Sequence, residues 1–542
     1  MVNTMRQITL PELLSNCPKD DLGKIFIEDK NILLSFGEVQ NRVQALAAIL
    51  QQHGFKAGDF ALIYMEKRWE AIVAILAVSW LGGIFVPVNH LFRTKHIKHI
   101  LSDINANFVF LSKKTLKQMD LADRSLLTLF SQNSCIMVDE LDDPSIFKQF
   151  ETLKSDLTEK ITIDIEHPER QISQDIAAIL YTSGTTGLPK GILIPHHVFV
   201  DGAEIVSNYL KITAADRILS ILPLSFDYGI NQVISALFVR CTIILSDYIL
   251  PSFLFKQLIE HKITGIAGTP MIWISFTRYL MDKNITRDKM PKLNYLTNSG
   301  GAIPERYVHF LNRITGDARL YLMYGLTEAF RSTYLDPAEV GNRPTSIGKA
   351  IPGVDIFLVD GNGKPCEGNG PGELVHRGKL VTQGYLNQPE KASKRFRPNP
   401  KGNGFSNIKE TVVFSGDIVR KDDEGFFYFV NRIDGQIKHR SYRISPEEIE
   451  SVVNSISGVS ISALYGETRE HETQLILNIV PDKVVDIEDG DLAKRIKKKI
   501  AQELPQYMIP ARIETVKDLP VNINGKLDRS ALLKRILMKP EA

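Results

Sequence analysis

The chain carries the segment Tyr181-Thr182-Ser183-Gly184-Thr185-Thr186-Gly187-Leu188-Pro189-Lys190-Gly191 directly after the apolar run 176–180. Its glycines let the backbone approach a ligand and turn N–H groups outward, an arrangement that suits phosphate oxygens. The hydroxyl side chains add further donors, and Lys190 adds a mobile positive charge. The segment therefore predicts a loop that binds the phosphates of a nucleotide.

The loop differs from the P-loop, in which Gly-x4-Gly-Lys-Ser/Thr opens a helix. Here Pro189 precedes the lysine and Gly191 follows it. We therefore predict a nucleotide-binding protein of another class. An ordinary turn rich in glycine, serine and threonine is the alternative interpretation.

Further motifs follow in a fixed order along the chain. They are Met323-Tyr324-Gly325-Leu326-Thr327-Glu328-Ala329, Ser415-Gly416-Asp417, Asn431-Arg432-Ile433-Asp434-Gly435-Gln436-Ile437-Lys438, Pro505-Gln506-Tyr507-Met508-Ile509-Pro510 and Asn524-Gly525-Lys526-Leu527-Asp528-Arg529. With the first loop, this series resembles the adenylate-forming superfamily. That superfamily includes acyl-CoA synthetases, adenylation domains of peptide synthetases, and luciferases. The resemblance covers the chain from about residue 34 to residue 529.

Composition is that of an ordinary globular protein, with 44% apolar and 24% charged residues. A length of 542 residues suggests about three to four domain-sized units. The net charge of +2 gives no support for a nucleic-acid partner. Cys17, Cys135, Cys241 and Cys366 are scattered without a C-x-x-C pair and predict free thiols in a reducing compartment. No signal peptide is recognisable, so we predict a cytoplasmic protein.

The most apolar stretch, residues 71–88, is interrupted only by Ser79 but contains Gly82, Gly83 and Pro87. Its length lies at the lower limit for crossing a bilayer. We predict a buried helix to about Leu81, a Gly-Gly turn and a strand at 84–88, with no membrane span.

Short apolar runs alternate with helical patterns, which indicates parallel sheets covered by helices. After Pro352, closely spaced strands predict a small β-rich subdomain. A compact α+β unit follows Asp434. The predicted fold class is α/β, with a large N-terminal adenylate-forming domain (1–433) and a mobile C-terminal domain (434–542). Predicted strands lie at 60–64, 108–111, 178–181, 217–222, 242–245, 265–268, 354–359, 372–377, 411–420 and 426–430, and predicted helices at 37–53 and 69–81.

The resemblance implies ATP and Mg²⁺ as cofactors and assigns roles in forming an acyl-adenylate. The first loop cradles the β- and γ-phosphates through Thr182, Ser183, Gly184, Thr185, Thr186, Gly187 and Lys190. Glu328 holds Mg²⁺ with Thr185 nearby, because a hard cation takes oxygen ligands. Both are predicted catalytic residues. For the nucleoside, the resemblance implies that Tyr324 stacks on adenine and that Asp417 binds the ribose hydroxyls with help from Arg432. The other residues implied in nucleotide binding are Gly300, Gly301, Ala302, Gly325 and Thr327.

Lys526 matches the superfamily's catalytic lysine, which neutralises charge on the transferring phosphoryl group. Asp434 matches the hinge about which the small domain turns between two half-reactions. The second half-reaction presents a face that includes Lys438, Ser441 and Arg443 to a pantetheine thiol. The family usually has glycine at the position of Ser441, so a side chain there crowds the thiol route.

The predicted substrate pocket contains Phe226, Asp227 and Gly229. The Phe-Asp pair resembles amino-acid-activating domains, in which the aspartate pairs with the α-amino group of the substrate. It favours an amino acid such as a proline-like one. Similar runs with Arg331-Ser332-Thr333 after the glutamate also occur in acyl-CoA synthetases, and Asp227 is an equally good helix or turn cap.

The predicted function is an AMP-forming ligase that activates a carboxylate and transfers it to a thiol. The acceptor is CoA or the phosphopantetheine of a separate carrier protein, because the chain stops soon after Lys526. A fatty or other organic acid with free CoA is the alternative substrate pair. A luciferase-like oxidoreductase is a remote alternative, since the chain ends Lys539-Pro540-Glu541-Ala542 without Ser-Lys-Leu. A catalytically dead nucleotide-binding protein is disfavoured, because Lys526, Glu328 and Asp417 are all present.

Overall fold

The computed structural model describes residues 8–119, 134–139, 151–152, 168–182, 189–303, 305–402, 409–433, 437–439, 442–469, 472–481, 489–520 and 532. The chain forms two compact units. The first comprises Met1–His90, Ile100–Tyr181 and Gly191–Ile433, and the second comprises Leu91–His99, Thr182–Lys190 and Asp434–Ala542. The division predicted between residues 433 and 434 stays a prediction. No signal in the sequence indicates that Leu91–His99 would group with the second unit.

The strands of the described residues are β1 (Ile25–Asp29), β2 (Ile32–Ser35), β3 (Phe60–Tyr64), β4 (Ile84–Pro87), β5 (Phe108–Leu111), β6 (Ser134–Met137), β7 (Glu151–Thr152), β8 (Ile176–Thr182), β9 (Lys190–Pro195), β10 (Arg217–Ser220), β11 (Thr242–Leu245), β12 (Gly265–Gly268), β13 (Tyr295–Asn298), β14 (Arg319–Tyr324), β15 (Thr333–Leu335), β16 (Lys349–Ala350), β17 (Val354–Val359), β18 (Gly372–Gly378), β19 (Phe396–Pro398), β20 (Thr411–Lys421), β21 (Phe427–Arg432), β22 (Ile437–His439), β23 (Tyr442–Ile444), β24 (Val459–Arg469), β25 (Glu472–Pro481) and β26 (Arg512–Thr515).

The helices are α1 (Leu10–Ser15), α2 (Phe36–Gln52), α3 (Trp69–Trp80), α4 (Thr94–Ile104), α5 (Lys113–Gln118), α6 (His196–Leu210), α7 (Asp227–Val239), α8 (Pro251–Glu260), α9 (Pro270–Asp282), α10 (Glu305–Ile314), α11 (Pro389–Arg395), α12 (Pro446–Asn454) and α13 (Asp489–Glu503). Local sequence explains where some begin. Ser35 precedes α2 and forms a capping box with Glu38, whose carboxylate accepts from the Ser35 N–H at 2.7 Å.

Two sheets of the described residues are mostly parallel. One has the strand order β7-β6-β5-β3-β4-β8-β9, and the other has the order β16-β15-β14-β13-β12-β10-β11-β1-β2. In the second sheet, β10 to β14 and β1 run parallel, and antiparallel strands complete both of its edges. The helix-covered parallel architecture predicted from the sequence is confirmed.

Smaller sheets follow along the chain, and their strand pairs are antiparallel except for the parallel pair β25–β26. Strands β17-β18-β20-β19 form one sheet, with β21 paired to β20, and this is the predicted β-rich subdomain. In the second unit, β22 pairs with β23, and β24-β25-β26 form a separate sheet. Helices α12 and α13 bury Ile449, Val453 and Ile496 in the core of that unit. The predicted class of a small α+β C-terminal region is confirmed.

The apolar stretch at 71–88 forms α3, a turn at Gly82-Gly83, and β4, as predicted. Side chains on all sides of α3 are buried. A Cβ on Gly83 would lie 2.3 Å from the Phe55 ring, so glycine lets the turn pack against that aromatic side chain. Among the described residues, no helix is long and apolar enough to cross a membrane. The four cysteines are free thiols.

Candidate active site

The carboxyl edge of the nine-stranded sheet gathers much of the predicted nucleotide site. Strand β13 ends at Asn298, and β14, parallel to it, ends at Tyr324. In α/β sheets, ligands bind at such carboxyl ends. After β13, Gly300 has a φ of +90°, a conformation suited to glycine, and Asn298 Nδ2 donates to Gly301 O at 2.9 Å. Ala302 is exposed beside this turn.

A buried hydrogen bond links Tyr324 to Asp417. The Tyr324 hydroxyl donates to Asp417 Oδ2 at 2.6 Å, and Asp417 is fully buried. Gly416, with a φ of +68°, turns the backbone immediately before the aspartate. In the β20–β21 ladder, Asp417 lies opposite Arg432, whose side chain is outside the described residues. The residues predicted to bind adenine and ribose thus lie together.

Glu328 lies in a short 3-10 turn formed by Thr327–Ala329 and is buried. Its Oε1 accepts a hydrogen bond from the Tyr385 hydroxyl at 2.7 Å. Its backbone carbonyl accepts from the Thr382 hydroxyl at 2.9 Å. The adjacent Phe330 has a φ of +50°, a strained backbone for a bulky side chain. The turn is therefore held through both the side chain and the backbone of Glu328.

A carboxylate oriented by a phenol hydroxyl matches the hard oxygen ligands that Mg²⁺ prefers. Glu328 therefore fits the predicted metal role, and Mg²⁺ when bound neutralises charge on phosphate oxygens. The second predicted ligand, Thr185, lies outside the described residues. Among the described residues, no group of three or more histidine, cysteine, aspartate and glutamate side chains could hold a metal ion.

The predicted substrate pocket contains an internal ion pair that the sequence did not indicate. Asp227 Oδ2 lies 3.3 Å from Arg331 Nη1, and the two side chains are 5% and 3% exposed. Asp227 Oδ1 also accepts from the Tyr228 N–H at 2.8 Å. Asp227 is the first residue of α7, and Phe226 precedes the helix. A cation of the protein therefore lies beside Asp227, and the pairing of Asp227 with a substrate ammonium stays a prediction.

Gly229 has a packing role in the same region. A Cβ at this position would lie 2.1 Å from Pro223 O. The first turn of α7 therefore lies directly against the loop that precedes Phe226. Gly325 is similarly confined, since a Cβ there would lie 3.1 Å from Phe330 O.

The second unit contains other predicted residues. Thr182 ends β8, and Lys190 begins β9. Lys438 and Arg443 lie directly opposite each other in the β22–β23 pair, which places two cations of the predicted thiolation face side by side. Predictions for Ser183, Gly184, Thr185, Thr186, Gly187, Asp434, Ser441 and Lys526 fall outside the described residues.

Sequence reasoning missed several partners of the predicted residues. Tyr385 lies 57 positions from its partner Glu328, and Arg331 lies 104 positions from its partner Asp227. In the second unit, His96 Nε2 lies 2.8 Å from Glu448 Oε1, with both side chains 2% exposed. For Arg331, the one available signal was its place directly after the Glu328 motif.

Lys67 is a buried titratable residue that lies outside the predicted site and was not predicted from the sequence. It lines a cavity with Asn89, His90, Ser225 and Asp247. Its ammonium donates to Leu222 O at 3.2 Å and lies 4.0 Å from Asp247, a half-exposed carboxylate. Burial lowers the pKa of Lys67 to about 7, and burial also lowers the pKa of His90. The Lys67 charge is therefore poorly compensated.

Known protein families and structures share both the motifs and the fold. The sequence profile described as "AMP-binding enzyme" matches residues 16–386, and the profile described as "AMP-binding enzyme C-terminal domain" matches residues 448–526. The class defined by this fold and these matches is the adenylate-forming ligases. More particularly, the chain belongs to the AMP-binding enzyme family.

Two curated relatives are synthases much longer than this chain. A linear gramicidin synthase of Brevibacillus parabrevis is 28% identical over 507 residues, which are 93% of this chain and 9% of that protein. Bacitracin synthase 2 of Bacillus licheniformis is 25% identical over 520 residues, which are 94% of this chain and 18% of that protein. The chain thus spans only a small part of these relatives.

Two solved structures share the fold. The o-succinylbenzoate CoA synthetase of Bacillus subtilis has a TM-score of 0.78 at 22% identity and is aligned over 98% of this chain and 99% of that chain. The amide bond synthetase McbA of Marinactinospora thermotolerans has a TM-score of 0.81 at 17% identity and is aligned over 97% and 99%. At these identities, the likeness establishes the fold alone.

The close approach at Gly229 leads to a first prediction. In Gly229→Ala, the new Cβ would meet Pro223 O, so α7 or the preceding loop must move. We expect a loss of about 1–3 kcal/mol in the free energy of unfolding, as for overpacked cores. Thermal unfolding measures this loss. Gly23→Ala is the control, because nothing lies within 4 Å of its added Cβ. Equal melting temperatures for the two variants would contradict the packing role.

The environment of Lys67 leads to a second prediction, for Lys67→Met. In the unfolded chain this lysine keeps its proton up to its ordinary pKa of 10.5, whereas the folded chain releases it near pH 7. Between these values the unfolded state binds more protons, so the stability of the natural protein rises with pH. We therefore expect the variant to be more stable than the natural protein near pH 7, with an advantage that shrinks towards pH 10.

The melting temperature, measured from about pH 6.5 to about pH 9.5 across this window, tests the difference. Lys256→Met is the control, because Lys256 has a 64% exposed side chain in an ion pair with Glu260. Its difference from the natural protein should vary little with pH. A constant difference for Lys67→Met as well would show that the Lys67 charge is not destabilised by burial.

Proposed function

We propose that this protein activates a carboxylic acid with ATP, releasing pyrophosphate, and transfers the acyl group from the acyl-adenylate to a pantetheine thiol, releasing AMP. The observation that carries the proposal is the buried Tyr324–Asp417 hydrogen bond at the carboxyl edge of the sheet. In this bond, the carboxylate that we propose as the acceptor for ribose hydroxyls accepts from the aromatic side chain that we propose as the adenine contact. Family membership supports the same chemistry.

In the proposed adenylation, the substrate carboxylate attacks the α-phosphate, so two anions must be brought together. Asp417 and Tyr324 orient the nucleoside, and Glu328, held by Tyr385, provides the oxygen ligand for Mg²⁺. The loop from Thr182 to Lys190 receives the leaving phosphates. Lys526 supplies positive charge to the transferring phosphoryl group.

In the proposed thiolation, the small domain turns about Asp434 and presents Lys438 and Arg443. Their opposed positions in β22–β23 give a paired positive surface. Phosphates, of CoA or of a carrier-bound phosphopantetheine, are the natural partners of such cations. Because a reactive anhydride must be kept from water while its acceptor changes, separate orientations for the two steps have a physical purpose.

For the substrate, the Asp227–Arg331 ion pair favours an acid without an ammonium group. Arg331 already compensates the buried carboxylate, and a second cation beside the guanidinium would be repelled. An organic acid with CoA or a carrier protein as acceptor is therefore our first choice. A proline-like amino acid passed to a stand-alone carrier protein is the second candidate, favoured by the similarity to parts of the gramicidin and bacitracin synthases.

The role of Lys526 leads to a third prediction. Lys526→Ala should slow adenylation by about 10²–10³-fold, because one preorganised electrostatic contact is lost. Acid-dependent exchange of pyrophosphate into ATP measures this step. Thioester formation from a preformed adenylate should be far less affected.

Lys517→Ala is the matched control, since Lys517 is an exposed lysine nearby in the chain and in the same unit. It should leave both half-reactions unchanged. Equal losses in adenylation and thiolation for Lys526→Ala would contradict the role of Lys526 as the lysine specific to adenylation. If no carboxylic acid supports exchange by the natural protein, the proposed function itself fails.

A further inference from the structure

Helix α7 presents a polar stripe to a cavity inside the first unit. Tyr228, Asn231, Gln232 and Ser235 line this cavity and follow the spacing i, i+3, i+4 and i+7, which defines one face of a helix. All four residues are buried. Globular proteins normally fill such an inward face with apolar side chains. The polar stripe therefore needs an explanation beyond packing.

Polar atoms along this cavity lack hydrogen-bond partners among the described residues. They are Asn231 Nδ2, Gln232 Oε1, Ser235 Oγ and Arg331 Nε. Leaving a buried donor or acceptor unpaired costs about 1–3 kcal/mol. Water or a bound ligand would supply partners to these atoms, which are concentrated on one wall.

The charge of the cavity wall limits the chemistry of that ligand. Arg331 Nη1 donates to Phe330 O at 2.6 Å and lies 3.3 Å from Asp227 Oδ2, so the guanidinium and carboxylate compensate each other. The guanidinium also lies over the Tyr228 ring, 5.1 Å from its centroid. An added ammonium would be repelled by Arg331, and an added carboxylate would compete with Asp227.

The position of the cavity connects it with the substrate. Its lining includes Arg331, whose guanidinium lies 3.3 Å from the carboxylate of Asp227 in the predicted pocket. The cavity thus adjoins the predicted carboxylate pocket. A substrate tail that extends from the reacting carboxylate would bind in this cavity.

We infer that the acid activated by this enzyme carries a neutral polar tail with hydroxyl or carboxamide groups. This tail forms hydrogen bonds with Asn231, Gln232, Ser235 and Arg331. Hydroxyl and carboxamide groups both donate and accept, as this mixed wall requires. An alkyl tail would leave the wall unpaired. The inference rests on the proposed function and specifies its substrate class.

The test compares short-chain acids of equal length that differ only at the tail, over a series of chain lengths. For each length, the tail is methyl, hydroxymethyl, carboxamide, aminomethyl or carboxylate. Acid-dependent exchange of pyrophosphate into ATP gives kcat/KM for each. We expect the hydroxyl or carboxamide acid to exceed its alkyl and charged counterparts by at least about tenfold at the preferred length, because sites built for hydrogen bonds reject analogues that lack them.

Two variants and a matched control test the residues. Ser235→Ala and Asn231→Leu should each reduce the ratio of polar to alkyl kcat/KM by about tenfold, mainly through KM, because each removes a hydrogen-bonding group from the wall. Ser207→Ala removes another buried hydroxyl without a partner among the described residues, but Ser207 does not line this cavity. It should leave the ratio unchanged. Melting temperatures identify any variant that fails to fold, and Ser235→Ala is the smaller change.

The outcomes separate the inference from the function on which it rests. Exchange that is fastest with an alkyl, amino or dicarboxylic acid would overturn the inference and leave the proposed function intact. A ratio unchanged in both variants would also overturn it, because the stripe would then be purely structural. Absence of exchange with every acid would overturn the proposed function and the inference together.

Discussion

The buried hydrogen bond between Tyr324 and Asp417 is the interaction on which the predicted nucleotide site depends. Tyr324 ends β14 of the nine-stranded sheet, whereas Asp417 belongs to β20 of the small antiparallel sheet. The bond therefore joins two sheets at a distance of 2.6 Å. A buried carboxylate needs such a donor, because desolvation without partners is costly. The same bond that stabilises the junction also orients the acceptor proposed for ribose.

A second buried contact decides how the substrate region is interpreted. The Asp227 motif alone matches the amino-acid-activating pattern, and that interpretation assumes an uncompensated carboxylate. The structure supplies Arg331 at 3.3 Å. An ammonium entering the pocket would have to displace or share this partner, and breaking a buried pair typically costs about 3–5 kcal/mol. The Asp227 motif and the local electrostatics therefore favour different substrates.

Sequence reasoning predicts the features that are encoded locally. Strands such as β3, β12 and β17 have the bounds predicted for them, because apolar runs between turn residues mark buried strands. The turn at Gly82-Gly83 is predicted because two consecutive glycines interrupt an apolar run. Contacts between distant positions are not predictable, since neither Tyr385 nor Arg331 carries a local sign of its partner. The roles assigned to individual site residues by resemblance remain predictions, including those of Lys526 and Asp434.

The stripe on α7 illustrates why burial and polarity must be considered together. In the sequence, Asn231, Gln232 and Ser235 are typical of a solvent-facing helix surface, and on that basis they would attract no attention. In the structure they are buried, so the same residues become costly unless something pairs with them. The adjacent ion pair makes their surroundings nearly neutral. Polarity without net charge is the property that a hydroxyl or carboxamide tail would match, and neither the helical period nor the ion pair alone would have indicated it.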